Sequence, residues 1–429
     1  MSILDEFLDD IEIINSERNG DCTIEQSQRV VKIINEFLYS EYSGPEKIEA
    51  FGRSFAYFSA FHKYWNDNHE KILNARISDS ACSEVAEILH NEFINSKGMS
   101  FTTVYNTGRL KPEEICRIRF LTANQDFRGS RDFGELIKIY RKKKTIFDEE
   151  YIKTQPEEFL KNLNISKLSQ TDKRPLFAQK ACDFILEKNT TPYGLIDYYE
   201  HDVSRLRKEL ISFGAGYGNK KTDMFIRDMV VLRVWEDVRG FDEVDVASDI
   251  NTIKIALRTG ILQTDIPLVS SFLDIFGNQY SYIDRMNAKA WRRVWELWDK
   301  KYPNEISSPC LIDYFIYNKV GRELCKQRSY FLCEKGHLFE GNANIKYCKE
   351  CNSKKQKVLA KKVLVGKPCE VDPQVYNGES LFEECPFKLI CDKNGKKDLN
   401  PPSSISITGN TGWEKAYSKP GQGGGGIMS

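Results

Sequence analysis

Several things are scarce in this 429-residue chain, and each scarcity narrows its class. No apolar run approaches the roughly 20 residues needed to span a bilayer, so no membrane partner is expected. The opening MSILDEFLDDIEI is acidic and lacks the basic stretch of a signal peptide, which makes a cytoplasmic location the expectation. Charge of either sign is not in excess: 62 Lys and Arg stand against 62 Asp and Glu. Compact nucleic-acid binders are often basic overall, so any such role must rest on a local basic surface. Histidine is limited to five residues, and cysteine to four in the first 300. A composition of 41% hydrophobic and 29% charged residues excludes a disordered chain. The length suits two or three domains, and no internal repeat is present.

Residues 1–115 read as helices broken by polar turns. Val30, Ile33, Ile34 and Leu38 share a helical face, and Phe51, Phe55, Phe58 and Phe61 form an aromatic stripe at helical spacing. Residues 116–325 continue the helical pattern with few strand signals. PEEFLKNLNISKLSQTDKRPLFAQKACDFILEK reads as two helices around a polar turn, and AWRRVWELWDKKYP is rich in Trp. From 326 to 395 Gly, Cys and Lys rise and the periodicity fades, as in a metal-pinned segment with little apolar core. Residues 396–429 are expected to be a flexible tail. The predicted fold is mainly α, with a small Cys-rich segment near the C-terminus.

Eight of the twelve cysteines lie between Cys310 and Cys391. In a reducing compartment such clustering points to metal before disulfides. Cys22, Cys82, Cys116 and Cys182 fall in helical patterns and read as core packing. Cys333, His337, Cys348 and Cys351 spell C-x3-H followed by C-x2-C. Three thiolates and an imidazole fill the tetrahedral set of a structural zinc, with Gly336 permitting the tight knuckle.

The most informative stretch is RLRKELISFGAGYGNKKTDMFIRDMVVL. Leu206, Leu210 and Phe213 lie at i, i+4 and i+7, as do Phe225, Met229 and Leu232, with Gly214, Gly216 and Gly218 between the two faces. Two short helices joined by such a turn form a helix-hairpin-helix, whose backbone N–H groups can hold a phosphate of DNA. The plainer alternative is a glycine cap between two packed helices.

The residues that follow resemble the helix-hairpin-helix DNA glycosylase superfamily, which includes endonuclease III and 8-oxoguanine glycosylase. The resemblance covers roughly 115–325, with the sharp motifs at 206–260. The family hairpin G-h-G-x-K is matched by Gly216-Tyr217-Gly218-Asn219-Lys220, with Lys221 one step off. The family's D-x-H-x-x-R-h-x-x-R-x-G is matched from Asp249 through Lys254 and Arg258 to Gly260, with Asn251 in place of the usual His. The resemblance implies that Asp249 is a catalytic carboxylate and Lys220 the nucleophile of members that also cut the strand. Asp242 and Asp245 are rivals for the aspartate, but only Asp249 precedes the matching helix. The chemistry suits these residue types. A flipped base leaves positive character on its sugar, which a carboxylate stabilises, while an amine whose pKa is lowered by a neighbour such as Lys221 can attack the sugar. Alternatively both lysines contact phosphate and Asp249 is a helix cap.

The run Cys385-Pro-Phe-Lys-Leu-Ile-Cys391 resembles the end of the [4Fe–4S] loop that follows the glycosylase domain in endonuclease III relatives. The implied ligand set is Cys325, Cys369, Cys385 and Cys391, with Cys310 as a substitute and a second zinc as the alternative. Lys354, Lys355, Lys357, Lys361, Lys362 and Lys367 crowd between the metal elements, either as solvated surface or as a further phosphate-binding face. The expectation is a monomeric DNA glycosylase excising a modified or damaged base, as in DNA repair. A non-catalytic hairpin DNA-binding protein and an RNA enzyme are the alternatives.

Overall fold

The computed structural model describes residues 74–102, 105–126, 132–165, 172–264, 280–325, 328–340, 347–353, 356–366 and 385–391, with short pieces at 9–10, 13, 16–17, 48–50, 53–55, 70–71, 375–376 and 379–380. The helix expected around 26–42, Cys22, Cys369 and the tail 396–429 lie outside the described residues.

The chain is mainly helical. The principal helices are α1 (Asp79–Ser96), α2 (Pro112–Ala123), α3 (Phe133–Lys142), α4 (Glu149–Thr154), α5 (Pro156–Asn162), α6 (Arg174–Leu186), α7 (Val203–Phe213), α8 (Asn219–Val231), α9 (Ile250–Thr259), α10 (Tyr280–Lys301) and α11 (Cys310–Tyr314). A π-helical stretch, Phe315–Leu324, continues α11. Local chemistry explains the ends. Ser78 caps α1 by accepting from the Ala81 N–H, and Asp132 caps α3 by accepting from Glu135. Pro sits in the first turn of α2, α5 and α6, where its missing N–H is harmless.

On α1 the buried residues Cys82, Val85, Ala86 and Leu89 recur at helical spacing, and this face packs along α10. The Trp-rich stretch supplies the other side: Trp291, Val294 and Trp298 are fully buried. The Phe101 ring meets Trp298 edge-on at 5.4 Å between centroids. Truncating such a Trp to Ala costs about 3–5 kcal/mol. One hydrophobic core runs from Ala81 through Phe120, Phe225, Ile253 and Phe315 to Ile390, crossing both residue 115 and residue 325. Cys82, Cys116 and Cys182 are buried in it, as core packing requires.

Two sequence expectations need correction. Phe55 lies not in a helix but in a strand, Arg53–Phe55, paired antiparallel with Ile48–Ala50; Phe51, Phe58 and Phe61 lie outside the described residues. Aromatics pack well on strands, and short apolar runs do not distinguish the two states by period. The Cys-rich segment also holds regular structure, a three-stranded antiparallel sheet with β1 (Arg328–Cys333) between β2 (Leu338–Glu340) and β3 (Ala360–Gly366). Phe331 of β1 stacks across to Phe339 of β2. This sheet has its own small core around Cys333, Cys348 and Cys351.

Candidate active site and metal centre

The hairpin is built where the sequence places it. Asp202 caps α7 by accepting from the Ser204 and Arg205 N–H groups, and Gly214 ends it at φ +73°. Gly216 has φ +77°, and a Cβ there would lie 2.6 Å from the Phe177 ring, so the fold itself demands glycine. The turn is pinned to its neighbours. Asn124 Nδ2 donates to the Ala215 and Phe177 carbonyls at 3.0 and 2.8 Å, and the Tyr217 hydroxyl donates to the Phe120 carbonyl.

Gly218 is different. Its backbone is extended at φ −96° and ψ −178°, which any residue adopts, and a Cβ would meet nothing within 4 Å. Neither dihedral angles nor packing requires glycine there, though an N-cap position favours it over alanine. As N-cap of α8 it also offers the first turn no side-chain acceptor.

Asp249 is 6% exposed and is the N-cap of α9. Its Oδ1 accepts from the Asn251 and Thr252 N–H groups, both at 2.9 Å, and its Oδ2 accepts from Asn251 Nδ2 at 3.1 Å. Thr252 completes a capping box by accepting from the Asp249 N–H at 2.9 Å. Helix α10 clamps this cap: Asn287 Nδ2 donates to Ser248 Oγ and Thr252 Oγ1 at 2.7 and 3.0 Å. Asn251 thus buttresses the carboxylate from the position where the family pattern has His. Its neighbour in register, Lys254, faces away and donates to the Gly321 and Cys325 carbonyls, tying α9 to the end of the π-helical stretch.

Lys220 occupies the first turn of α8. It and Asp249 line one cavity of about 380 Å³, together with Tyr105, Arg119, Gln125, Asp313 and Tyr317. Solvent reaches the Lys220 side chain within the cavity, while the enclosing protein desolvates its ammonium. Burial alone would push this group down, but the facing carboxylates of Asp249, Asp126 and Asp284 outweigh it, and the net shift is upward. The sequence expectation that Lys221 would depress Lys220 is therefore wrong: three carboxylates outweigh burial, and the net shift is upward. The depressed amine is Lys221, which burial pushes down to about 7, against Asp126 and with help from Lys220 and Arg174. Lys221 Nζ donates to the Asn124 carbonyl at 2.9 Å. Lys221, Gly216 and Gly218 line a second cavity on the hairpin side, which also receives Lys289, Arg285 and Asp284.

Of the rival aspartates, the Asp245 carboxylate is committed elsewhere and Asp242 is exposed. Asp245 pairs with Arg292 Nε at 2.7 Å, and the Asp242 carbonyl accepts from Arg292 Nη1 at 2.9 Å. Of the three candidates, Asp249 lines this cavity with Lys220, whereas Asp245 lines the second cavity, which Lys220 also borders.

Sequence reasoning missed the charged wall of this cavity. Arg119 Nε donates to Asp228 Oδ2 at 2.7 Å, Arg227 holds Asp228 Oδ1 at 2.7 Å, and Arg227 also pairs with Asp313. Burial pushes the Asp313 carboxyl up to about 7, against the attraction of Arg227. The available signal was charge at apolar positions, in ICRIRFL and CLIDYF, but the four residues come from α2, α8 and α11 and no local pattern joins them.

The metal centre is compact. Cys333, His337, Cys348 and Cys351 bring one ligand atom each to within 4.8 Å of the others. His337 Nδ1 lies 3.5, 3.7 and 3.3 Å from the sulfurs of Cys333, Cys348 and Cys351. Zinc–sulfur and zinc–nitrogen bonds at a tetrahedral angle place S and N about 3.6 Å apart, so the donors fit the ion. Cys333 closes β1, and its carbonyl accepts from the Gly336 N–H in a turn where Gly336 has φ +80°. The Cys351 N–H points at Cys348 Sγ, 3.5 Å away. With Nδ1 as ligand, His337 Nε2 faces the exposed carboxylate of Glu350 at 3.4 Å, the kind of partner that orients a ligating imidazole.

Among the described residues, Cys325, Cys385 and Cys391 are not gathered into a ligand group as those four are, and Cys369 lies outside the described residues. Cys385 is buried and Cys391 half-buried, flanking the short helix α13 (Lys388–Cys391; α12 is Lys349–Ser353), which packs on α9. Cys325 ends the π-helical stretch beside the same helix. Cys310 is buried, accepts from the Ser308 hydroxyl at 3.1 Å, and burial pushes its thiol up. No protein-family model, curated protein or solved structure matches the chain.

Proposed function

We propose that the protein is a DNA glycosylase that flips a modified base into the cavity beside its helix-hairpin-helix and breaks the bond to the sugar. The observation that carries this reading is the meeting of Asp249 and Lys220, from separate helices, on one cavity next to the hairpin turn. Asp249 supplies negative charge where the sugar becomes cationic as the base departs. The side-chain amide of Asn251 and the first N–H groups of α9 hold that carboxylate at fixed orientation. Gly218 supports the DNA contact. Glycine suits its N-cap position, and its missing side chain also leaves room for a phosphate on the first turn of α8. The basic side chains Lys221, Lys289 and Arg285 border the same place.

Lys220 stands in the cavity as an ammonium, suited to holding an anionic group. To act as a nucleophile in strand cleavage it must first give up its proton, and the nearby carboxylates are the acceptors at hand. The Cys3His centre holds a structural zinc, since all four donors belong to protein and no position is left for substrate. A [4Fe–4S] cluster on Cys325, Cys385 and Cys391 with Cys369, or a second zinc there, belongs to the same reading, and iron and sulfide analysis of anoxically purified protein separates the two.

The capping box around Asp249 favours a second reading, in which the aspartate only ends a helix and the hairpin binds DNA without chemistry. The deciding experiment incubates the protein with duplexes carrying different modified bases and assays for abasic sites. Release of a base by the wild type but not by Asp249→Asn is expected, and DNA binding without release from any duplex would leave the second reading.

A further inference from the structure

Among the described residues, the wall of the cavity contains three buried polar atoms with no hydrogen-bond partner: Arg119 Nη2, Gln125 Oε1 and Asp313 Oδ1. Their residues are 6, 1 and 3% exposed, and all three line the same cavity. Each unpaired buried group costs about 1–3 kcal/mol, so their gathering at one place needs a reason. None of the three is loose. Arg119 is held through Nε by Asp228 and lies over the Tyr105 and Phe133 rings, 5.8 and 5.7 Å from their centroids. Gln125 Nε2 donates to the Arg174 carbonyl at 3.2 Å, which fixes Oε1 as the amide atom left over. Asp313 is anchored by Arg227 through Oδ2, leaving Oδ1.

These leftovers make a set of one donor and two acceptors. Arg119 can only donate, the Gln125 carbonyl can only accept, and Asp313 paired with arginine accepts as a carboxylate. A flipped base is read along its Watson–Crick edge. Cytosine offers one donor and two acceptors, thymine and uracil a donor between two acceptors, and adenine one of each. Guanine alone offers one carbonyl acceptor and two N–H donors. We propose that the cavity takes a guanine-type purine, whose carbonyl meets Arg119 and whose N–H groups meet Gln125 and Asp313. This inference rests on the glycosylase reading and names its substrate class. The three atoms are closed off from solvent, so a base reaches them when other lining side chains turn aside, a rearrangement of the kind common on binding, while the anchors on Asp228, Arg174 and Arg227 stay in place.

The test uses the full chain at about pH 8, where Asp313, pushed up to about 7 by burial, is mainly ionised. Duplexes of one sequence carry 8-oxoguanine, hypoxanthine, ethenoadenine or uracil. Single-turnover release is measured with the wild type, and affinity by anisotropy with Asp249→Asn. The expected result is release from 8-oxoguanine at least about tenfold faster than from hypoxanthine, which has the same carbonyl and ring N–H but no exocyclic amine, with the other two slower still. Gln125→Met, which removes the acceptor while keeping the shape, should reduce the preference over hypoxanthine to about twofold or less. The hypoxanthine comparison stands without any variant should Gln125→Met not fold. Fastest release of uracil or ethenoadenine overturns the edge assignment and leaves the glycosylase reading intact. Preferred binding of 8-oxoguanine without release of any base supports the edge and overturns the glycosylase reading. Neither release nor preference overturns both.

Discussion

The side-chain amide of Asn251 donates to Oδ2 of Asp249 at 3.1 Å while its backbone N–H donates to Oδ1 at 2.9 Å. One residue thereby fixes both oxygens of the carboxylate, and the aspartate caps α9 and faces the cavity at once. Asp249→Asn keeps an oxygen for the cap and removes the charge, so it separates the two roles. We expect base release to fall by at least about 100-fold, the scale of losing one well-placed electrostatic group, with DNA affinity within about twofold of wild type. Unfolding free energy should drop by no more than the cost of a weakened cap, about 1 kcal/mol. Unchanged release by this variant would leave only the capping role.

The two turn glycines should respond in different ways. Gly216→Ala forces a Cβ into the Phe177 ring at positive φ and should lower the thermal midpoint and the folded yield. Gly218→Ala meets neither obstacle, and the poorer N-cap that Ala makes should lower stability only slightly, by less than about 1 kcal/mol. Its effect should appear instead as DNA affinity weakened several-fold at fixed salt. If both variants bind DNA as wild type does, the phosphate seat on α8 is wrong.

Much of this site was legible in the sequence. The hairpin helices, the glycine turn, the helix starting at Asp249 and the Cys3His spacing all follow from short-range periodicity and ligand spacing. What was not legible arises from long-range packing. Arg119, Arg227, Asp228 and Asp313 meet only because α2, α8 and α11 share a core, and helical period treats each as an ordinary surface charge. The direction of the Lys220 shift failed for the same reason. Its sequence neighbour is a lysine, but Asp249, Asp126 and Asp284, all distant in sequence, face it and outweigh its burial. The strand at Phe55 failed because the aromatic spacing fitted a helix equally well.

Strand cleavage, if the protein performs it, should depend on pH through Lys220. Its ammonium is held above the usual lysine range by Asp249, Asp126 and Asp284, so the reactive amine is scarce at neutral pH and grows as pH rises. Borohydride trapping on a lesion duplex should therefore increase steadily from about pH 6 to about pH 9 without reaching a plateau. A plateau near pH 7 would instead implicate Lys221, the amine that burial brings to about 7. Lys220→Gln and Lys221→Gln, compared at high pH, assign the trapped amine directly.

The metal centre makes its own prediction, independent of DNA. Its sheet has a small core made largely of the ligands Cys333, Cys348 and Cys351, so little apolar burial would remain to hold it without the ion. Zinc should be present at about one per chain at this site, and Cys348→Ser should abolish it. Loss of zinc should expose 328–366 to protease while α1 to α11, which have a separate core, keep their cooperative melting. Glu350 tests the finer geometry. It faces His337 Nε2 from 3.4 Å without touching the metal position, so Glu350→Gln should lower zinc affinity by about 10–100-fold and leave the stoichiometry at saturation unchanged. Competition with a chromophoric chelator measures the first effect, and elemental analysis the second. If Glu350→Gln binds zinc as tightly as wild type, the carboxylate is only a neighbour of the histidine; if Cys348→Ser keeps its zinc, the four-ligand assignment itself fails.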